Sequence, residues 1–306
     1  MPLATTTTTR IQAVVPNCPR PRRLVAFTTP PAYSPRLSSL LSVRGGAEPL
    51  SVPTISVDPT PHAFLQHHAA NGSSLDSFAG IAFTSRTGIH SFSLALDLDL
   101  DLLRLSPSGG PPSFFLAALG KDADLLYGED GLAAKLLACD DPTRIRILVP
   151  DVASPAGLVK SLGFGYGKKI LCPVPTVVDL TEPPVIPDFL KDLEEAGWVP
   201  VRVSAYETRW IGPKCVERLV ALDKDLDAII FTSTAEVEGL IMGLKELGWD
   251  WGMVRRRWPN MVVGAHGPVT AKGAERYGID VDVVSEKFSS FDGVLDALDL
   301  RWSSSR

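Results

Sequence analysis

The chain has 306 residues, 45% of them apolar and 21% charged, which is enough to build the cores of about two domains. Its formal net charge is −5, yet Arg10, Arg20, Arg22, Arg23, Arg36 and Arg44 all precede the first acid, Glu48, so the body is more acidic than the whole. Such a body argues against nucleic-acid or anionic-membrane binding, and no apolar run of about 18 residues exists to form a membrane-spanning helix.

Residues 1–23, MPLATTTTTRIQAVVPNCPRPRR, are rich in Thr, Pro and Arg and lack both acids and a secretory apolar block. They are expected to be an organelle transit peptide addressed to the plastid stroma, the other reading being an ordinary unstructured tail. From Leu24, LVAFT is expected as a buried strand, SPRLSSLLSVRGG as a short helix stopped by glycines, and VPTISV as a second strand. After a mixed stretch, GIAFTS is a strand ending in two hydroxyl residues and RTGIHSFSLAL a helix. The alternating run from Leu96 to Leu103 is expected as a solvated helix tail or loop, because its acids lack the glycine turn of a calcium loop. SPSGGPPS is a linker. The second half then alternates KKILCPVP strand, IPDFLKDLEEAG helix, WVPVRVSAYE strand, CVERLVALDKD helix, LDAIIFTS strand, AEVEGLIMGLKELG helix, MVVGAHG strand, TAKGAERYG helix and IDVDVVS strand. Such alternation implies an α/β fold with parallel sheets wrapped by helices and ligands beyond the carboxyl ends of the strands.

The chain also repeats itself. Ile81-Ala-Phe-Thr-Ser85 returns as Ile229-Ile-Phe-Thr-Ser233, and Gly120 follows Thr84 at nearly the spacing at which Gly267 follows Thr232. Gly157-Leu-Val-Lys-Ser-Leu162 and Gly293-Val-Leu-Asp-Ala-Leu298 close the two copies. A repeat of this length implies paired lobes, not a solenoid.

Each FTS segment lies where a strand hands over to a helix, so Thr84, Ser85, Thr232 and Ser233 can present hydroxyls and nearby N–H groups to a carboxylate. Alternatively each merely caps its own helix. Gly267-Pro-Val-Thr270-Ala is a similar transition, with Thr270 available to bond or cap. Gly163-Phe-Gly-Tyr-Gly-Lys-Lys169 lacks the first glycine and the final Ser or Thr of a phosphate loop, and no GxGxxG or GxSxG occurs. Cys18, Cys139, Cys172 and Cys215 have no CxxC spacing, and His67-His68 is expected on a solvated helix face, so no metal site is supported.

The arrangement resembles the uroporphyrinogen-III synthase family. The matching pieces are VPTISV, both FTS segments, LKDLEEAGWVPVRVSAYET, VVGAHGPVTAKGAERYGIDVDVV and FSSFDGVLDAL. The resemblance implies two similar α/β lobes, each a parallel sheet flanked by helices, joined by a two-stranded linker with a cleft between them. Residues 24–54 and 211–306 would form lobe 1, and residues 55–210 an inserted lobe 2. It implies cyclisation of the linear tetrapyrrole hydroxymethylbilane, with no metal or organic cofactor and a monomeric protein. Tyr206 matches the family's interlobe tyrosine and would assist departure of a hydroxyl. Thr84, Ser85, Thr232, Ser233, Gly267 and Thr270 would bind the substrate, aided by Lys168, Lys169 or Arg255-Arg-Arg257. Thr28-Thr-Pro30 lacks the Arg and Gly120-Lys-Asp-Ala123 the Thr-Ala of the family pattern, departures that suit the alternative of a noncatalytic paralogue binding a tetrapyrrole or other polycarboxylate.

Overall fold

The computed structural model describes residues 22–44, 46–71, 74–99, 103, 105, 114–136, 142–287 and 290–304. The leader through residue 21, the SPSGGPPS linker, Cys18 and Cys139 lie outside the described residues. The strands run β1 (Leu24–Phe27), β2 (Glu48–Ser51), β3 (Ile55–Pro59), β4 (Gly80–Phe83), β5 (Phe114–Ala118), β6 (Ile145–Leu148), β7 (Lys169–Val178), β8 (Val199–Trp210), β9 (Ala228–Phe231), β10 (Val262–Ala265) and β11 (Val283–Val284). The α-helices are α1 (Ser34–Val43), α2 (His62–Asn71), α3 (Arg86–Leu98), α4 (Leu132–Leu136), α5 (Pro155–Leu162), α6 (Val185–Glu195), α7 (Glu217–Val220), α8 (Thr234–Glu246), α9 (Trp251–Arg257), α10 (Pro268–Arg276) and α11 (Asp292–Ser304).

These strands make two sheets of matching plan. One is ordered β11-β10-β9-β1-β2 and wholly parallel; the other is β3-β8-β7-β4-β5-β6, parallel except for its edge strand β3. Read from the far edge, β6-β5-β4-β7-β8 repeats β11-β10-β9-β1-β2, so β4 and β9, which carry the duplicated segments, hold the same central place. The closing Gly-apolar segments likewise become α5 after β6 and α11 after β11. Both faces of each sheet are covered. Along β1, Leu24 and Ala26 enter one core and Val25 and Phe27 the other, and in β4 Ile81 and Phe83 oppose Ala82 in the same way. Period-2 alternation between two buried faces explains why these strands read as continuous apolar runs.

The lobes are joined by a pair of strands. β3 runs antiparallel to the last part of β8, from Ile55 opposite Trp210 to Pro59 opposite Tyr206. β7 and β8 shift register between Val174 and Pro175, leaving Ala205 as an extra residue. Pro175 has no N–H to give the ladder, which is why the bulge falls there.

Several expectations are corrected. The second strand is Glu48–Ser51, while VPT crosses between sheets before β3 begins at Ile55; EPLS buries only Leu50 fully and gives no alternation to detect. CVERLVALDKD is helical in the α sense only over Glu217–Val220, because Arg257 donates to the carbonyls of Val220 (2.7 Å) and Leu222 and ends the helix early. IDVDVVS contributes two paired residues, since the Asp282 carboxylate accepts from the Val263 N–H at 2.8 Å where a longer strand would place a carbonyl. Of the Leu96–Leu103 run, Leu96 to Leu98 is the helix tail that the sequence implies, with Asp97 exposed, but Leu96 and Leu103 are buried and not solvated.

Close helix packing in the first sheet's lobe depends on Gly273. A Cβ there would lie 2.1 Å from the Thr234 hydroxyl, so α10 could not sit against α8 as it does. Gly273→Ala is expected to lower stability by about 1–3 kcal/mol, read as a lower midpoint in urea unfolding.

Candidate functional site

The carboxyl ends of both sheets open onto one interlobe cleft. Its main cavity, about 410 Å³, is walled by Pro30 and Tyr33 after β1, Thr84 and Thr87 after β4, and Thr232 to Glu236 after β9. The connector adds Ile55, Val57, Tyr206 and Thr208, and α10 adds Val269 and Thr270. Most of the wall is aliphatic, with hydroxyls at intervals. That composition suits an apolar body with a few positioned polar contacts, and the volume falls within the range of roughly 300–1,000 Å³ usual for small-molecule sites.

Tyr206 projects from β8 immediately after the extra residue Ala205, so the bulge decides which way its ring points. It is 9% exposed. Burial pushes its phenol up to about 12, opposed by a hydrogen bond with the Ser85 hydroxyl and reinforced by Tyr33 and Asp122. At neutral pH it therefore keeps its proton and can donate.

The duplicated hydroxyls divide their work. Ser85 Oγ accepts from the Gly88 N–H at 3.1 Å, capping α3, and Ser233 Oγ accepts from the Glu236 N–H at 3.4 Å, capping α8. Both serines are therefore helix caps, and Ser85 reaches the site through Tyr206. Thr84, Thr232, Ser233 and Thr270 line the cavity, whereas Ser85 and Gly267 are not among its walls. Thr270 Oγ1 donates to the Thr232 carbonyl at 3.3 Å, tying α10 to the end of β9. Gly267 is the cap position of α10.

A buried carboxyl lies beneath this wall. Glu236 is 1% exposed and accepts from the Thr232 N–H and the Thr28 hydroxyl, each at 2.8 Å, and from the hydroxyls of Thr232 and Ser233. Burial raises it above the ordinary Glu value, and its hydrogen bonds with Thr232, Thr28 and Ser233 oppose that shift. Ser233-Thr-Ala-Glu236 has the spacing of a capping box, the signal by which the sequence announces this group.

Two contacts clasp the lobes. Tyr33 and Thr87 share a hydrogen bond of 2.5 Å, and on the other side the Thr181 N–H donates to both Glu238 oxygens at 3.0 Å while its hydroxyl donates at 2.7 Å. Glu238→Ala leaves the Thr181 donors without their carboxylate. The expected result is a loss of about 1–3 kcal/mol and a larger radius of gyration in solution scattering.

The family model for uroporphyrinogen-III synthase HemD matches residues 35–294. The chain belongs to the uroporphyrinogen-III synthase family. Among solved structures, a mutant uroporphyrinogen III synthase from the extremely thermophilic bacterium Thermus thermophilus is similar at 19% identity and a TM-score of 0.57, covering 93% of this chain and 100% of its own. The uroporphyrinogen-III synthetase of Helicobacter pylori 26695 aligns over 92% of this chain and 99% of its own, at 14% identity and a TM-score of 0.43. A search of curated proteins returns no match. The first of these likenesses carries the two-lobed fold of the family.

Not every cation expected near a uroporphyrinogen-III synthase substrate stands at the cleft. Lys168 and Lys169 are exposed at the start of β7, the end of the sheet away from the cavity. Arg255 donates to the Met261 carbonyl at 2.5 Å and Arg257 lies 5.0 Å from the Trp258 ring, so that run fastens α9 to its own lobe. The residues that do complete the cleft are far apart in sequence: Tyr33 from the turn before α1, Thr87 and Glu236 from the first turns of α3 and α8, and Thr208 from the last part of β8. Among the described residues no group of His, Cys, Asp and Glu is placed to hold a metal ion, and no helix is long and apolar enough to cross a membrane.

Proposed function

We propose that this protein cyclises hydroxymethylbilane to uroporphyrinogen III, with loss of water and inversion of one terminal ring. The observation that carries the reading is a buried, protonated tyrosine facing an apolar cavity between the two lobes of this family's fold. The substrate supplies most of the reactivity: its electron-rich terminal pyrrole expels hydroxide as the C–O bond breaks, and the pyrrole N–H proton passes to that hydroxide, so that water leaves and a neutral azafulvene remains. Tyr206 donates a hydrogen bond to the departing oxygen. With its phenol held near 12, it acts as a fixed donor and not as a strong acid. The aliphatic wall excludes solvent that would otherwise capture the azafulvene, and the closed lobes fold the chain so that its ends meet. Thr84 offers its hydroxyl to the rings and their substituents, while Thr232 and Thr270, whose protons go to Glu236 and to the Thr232 carbonyl, offer acceptor oxygens. Tetrapyrrole biosynthesis is the pathway this family membership supports, and the acid-free leader supports placing the reaction in a plastid.

A noncatalytic relative that binds a tetrapyrrole is the second reading. Gly120 opens a 3₁₀ turn where Gly267 caps a full α-helix, so one half of the cleft lacks the helix start that the other has. The test supplies hydroxymethylbilane enzymatically and separates the product isomers. Turnover gives uroporphyrinogen III; a noncatalytic protein leaves only the isomer I that forms spontaneously.

A further inference from the structure

A second cavity of about 290 Å³ adjoins the first, with Tyr33 in the wall of both. Its lining differs in kind. Arg36 enters from α1 in one lobe, and Arg86 and Lys121 from the other, against a single acid, Asp122. That acid is paired with Arg86 at 3.1 Å. Arg36 packs toward the Phe291 ring at 5.8 Å, and among the described residues neither Arg36 nor Lys121 has a carboxylate at ion-pair distance. In a protein of net charge −5, such a concentration of positive charge at the mouth of a cavity is local, not a reflection of the whole. The duplication sharpens the point: Lys121 follows the turn glycine of one copy where the other copy has Pro268, so the two ends of the cleft are not chemically equivalent.

We propose that this second cavity is a carboxylate subsite, built from both lobes, that takes acidic substituents of a molecule whose apolar body occupies the main cavity. The proposal rests on the tetrapyrrole reading for the identity of that molecule, and on the side chains themselves for its chemistry. The main cavity is the poorer place for the charged arms, because its wall offers hydroxyls but no cation, and the donors of Thr28 and Thr232 are already given to its one carboxyl, Glu236. A carboxylate desolvated there would find no cation. Arg36 and Arg86 offer planar forks for paired hydrogen bonds, and Lys121 a third positive centre. Because the cations come from opposite lobes, a bound carboxylate also draws the lobes together.

The test measures uroporphyrin III binding by calorimetry to the full protein and to Arg36→Gln, Lys121→Gln and Lys169→Gln. The first two side chains are exposed, so their loss leaves the fold intact, and the third removes an equal charge from the far end of the sheet. Arg36→Gln and Lys121→Gln are each expected to weaken binding about tenfold, with Lys169→Gln within about twofold of the parent. Unchanged affinity in the first two, or an equal loss in the third, overturns the subsite. If the parent protein binds no uroporphyrin III, the tetrapyrrole reading falls, and benzenehexacarboxylate becomes the probe. Binding of that probe that Arg36→Gln abolishes upholds the carboxylate subsite; its failure to bind the parent overturns it.

Discussion

Tyr206→Phe is expected to lower the rate of uroporphyrinogen III formation by about 10²–10³-fold, the usual cost of removing one positioned donor from a developing anion. The ring remains, so the packing against β3 and β7 survives and the unfolding midpoint should move little. A retained rate would reassign the phenol to the lobe junction and leave catalysis to the substrate alone. Because burial holds the phenol near 12, its ionisation should produce no alkaline limb in the rate profile below about pH 10. A limb near neutrality that disappears in the Phe variant would show that Tyr206 titrates where its surroundings say it does not.

Glu236→Ala is expected to cost on the order of 3 kcal/mol, because it strips the acceptor from the Thr232 N–H and from the hydroxyls of Thr28 and Ser233 in a buried place. Glu236→Gln isolates the charge. The folded-state value of this carboxyl lies above its unfolded value, so the folded protein holds the proton more tightly. That contribution is complete below the unfolded value and is lost as pH rises through the folded one. Parent stability should therefore decline on the alkaline side of the ordinary Glu range, and the Gln variant should decline less. Urea unfolding at a series of pH values reads the difference. A constant offset between the two proteins across that series would mean that Glu236 does not titrate in the folded state.

The duplicated FTS segments were legible because a strand that hands over to a helix needs a cap, and the local chemistry of that turn writes itself as Thr-Ser twice. What those hydroxyls do was only half legible. Ser85 and Ser233 are committed to backbone N–H groups, as any N-cap must be, which leaves the threonines beside them to face the cavity. Tyr206 stood out through resemblance, while the prolines of KKILCPVP carried the physical hint that the ladder would break beside it. Tyr33 and Thr87 meet across the cleft without any periodic pattern to join them, since their contact exists only after both lobes have formed. Arg36, Arg86 and Lys121 escaped for the same reason. A charge in a helix's first turn reads as solvated until a second element, distant along the chain, closes over it. Elements stop short of their apolar pattern where a side chain replaces a backbone partner, as Arg257 and Asp282 do.

The strand that carries Tyr206 is also the tether between the two halves of the molecule, and its companion is anchored at Thr54, whose carbonyl accepts from the Ile211 N–H at 3.3 Å. Any gaping of the jaws must flex this ribbon, and with it the perch of the phenol. Admission of a reactant, discharge of a product and the aim of the donor therefore belong to a single mechanical coordinate. A residue swapped at Thr54 or Trp210, remote from the reacting atoms, would alter all three together.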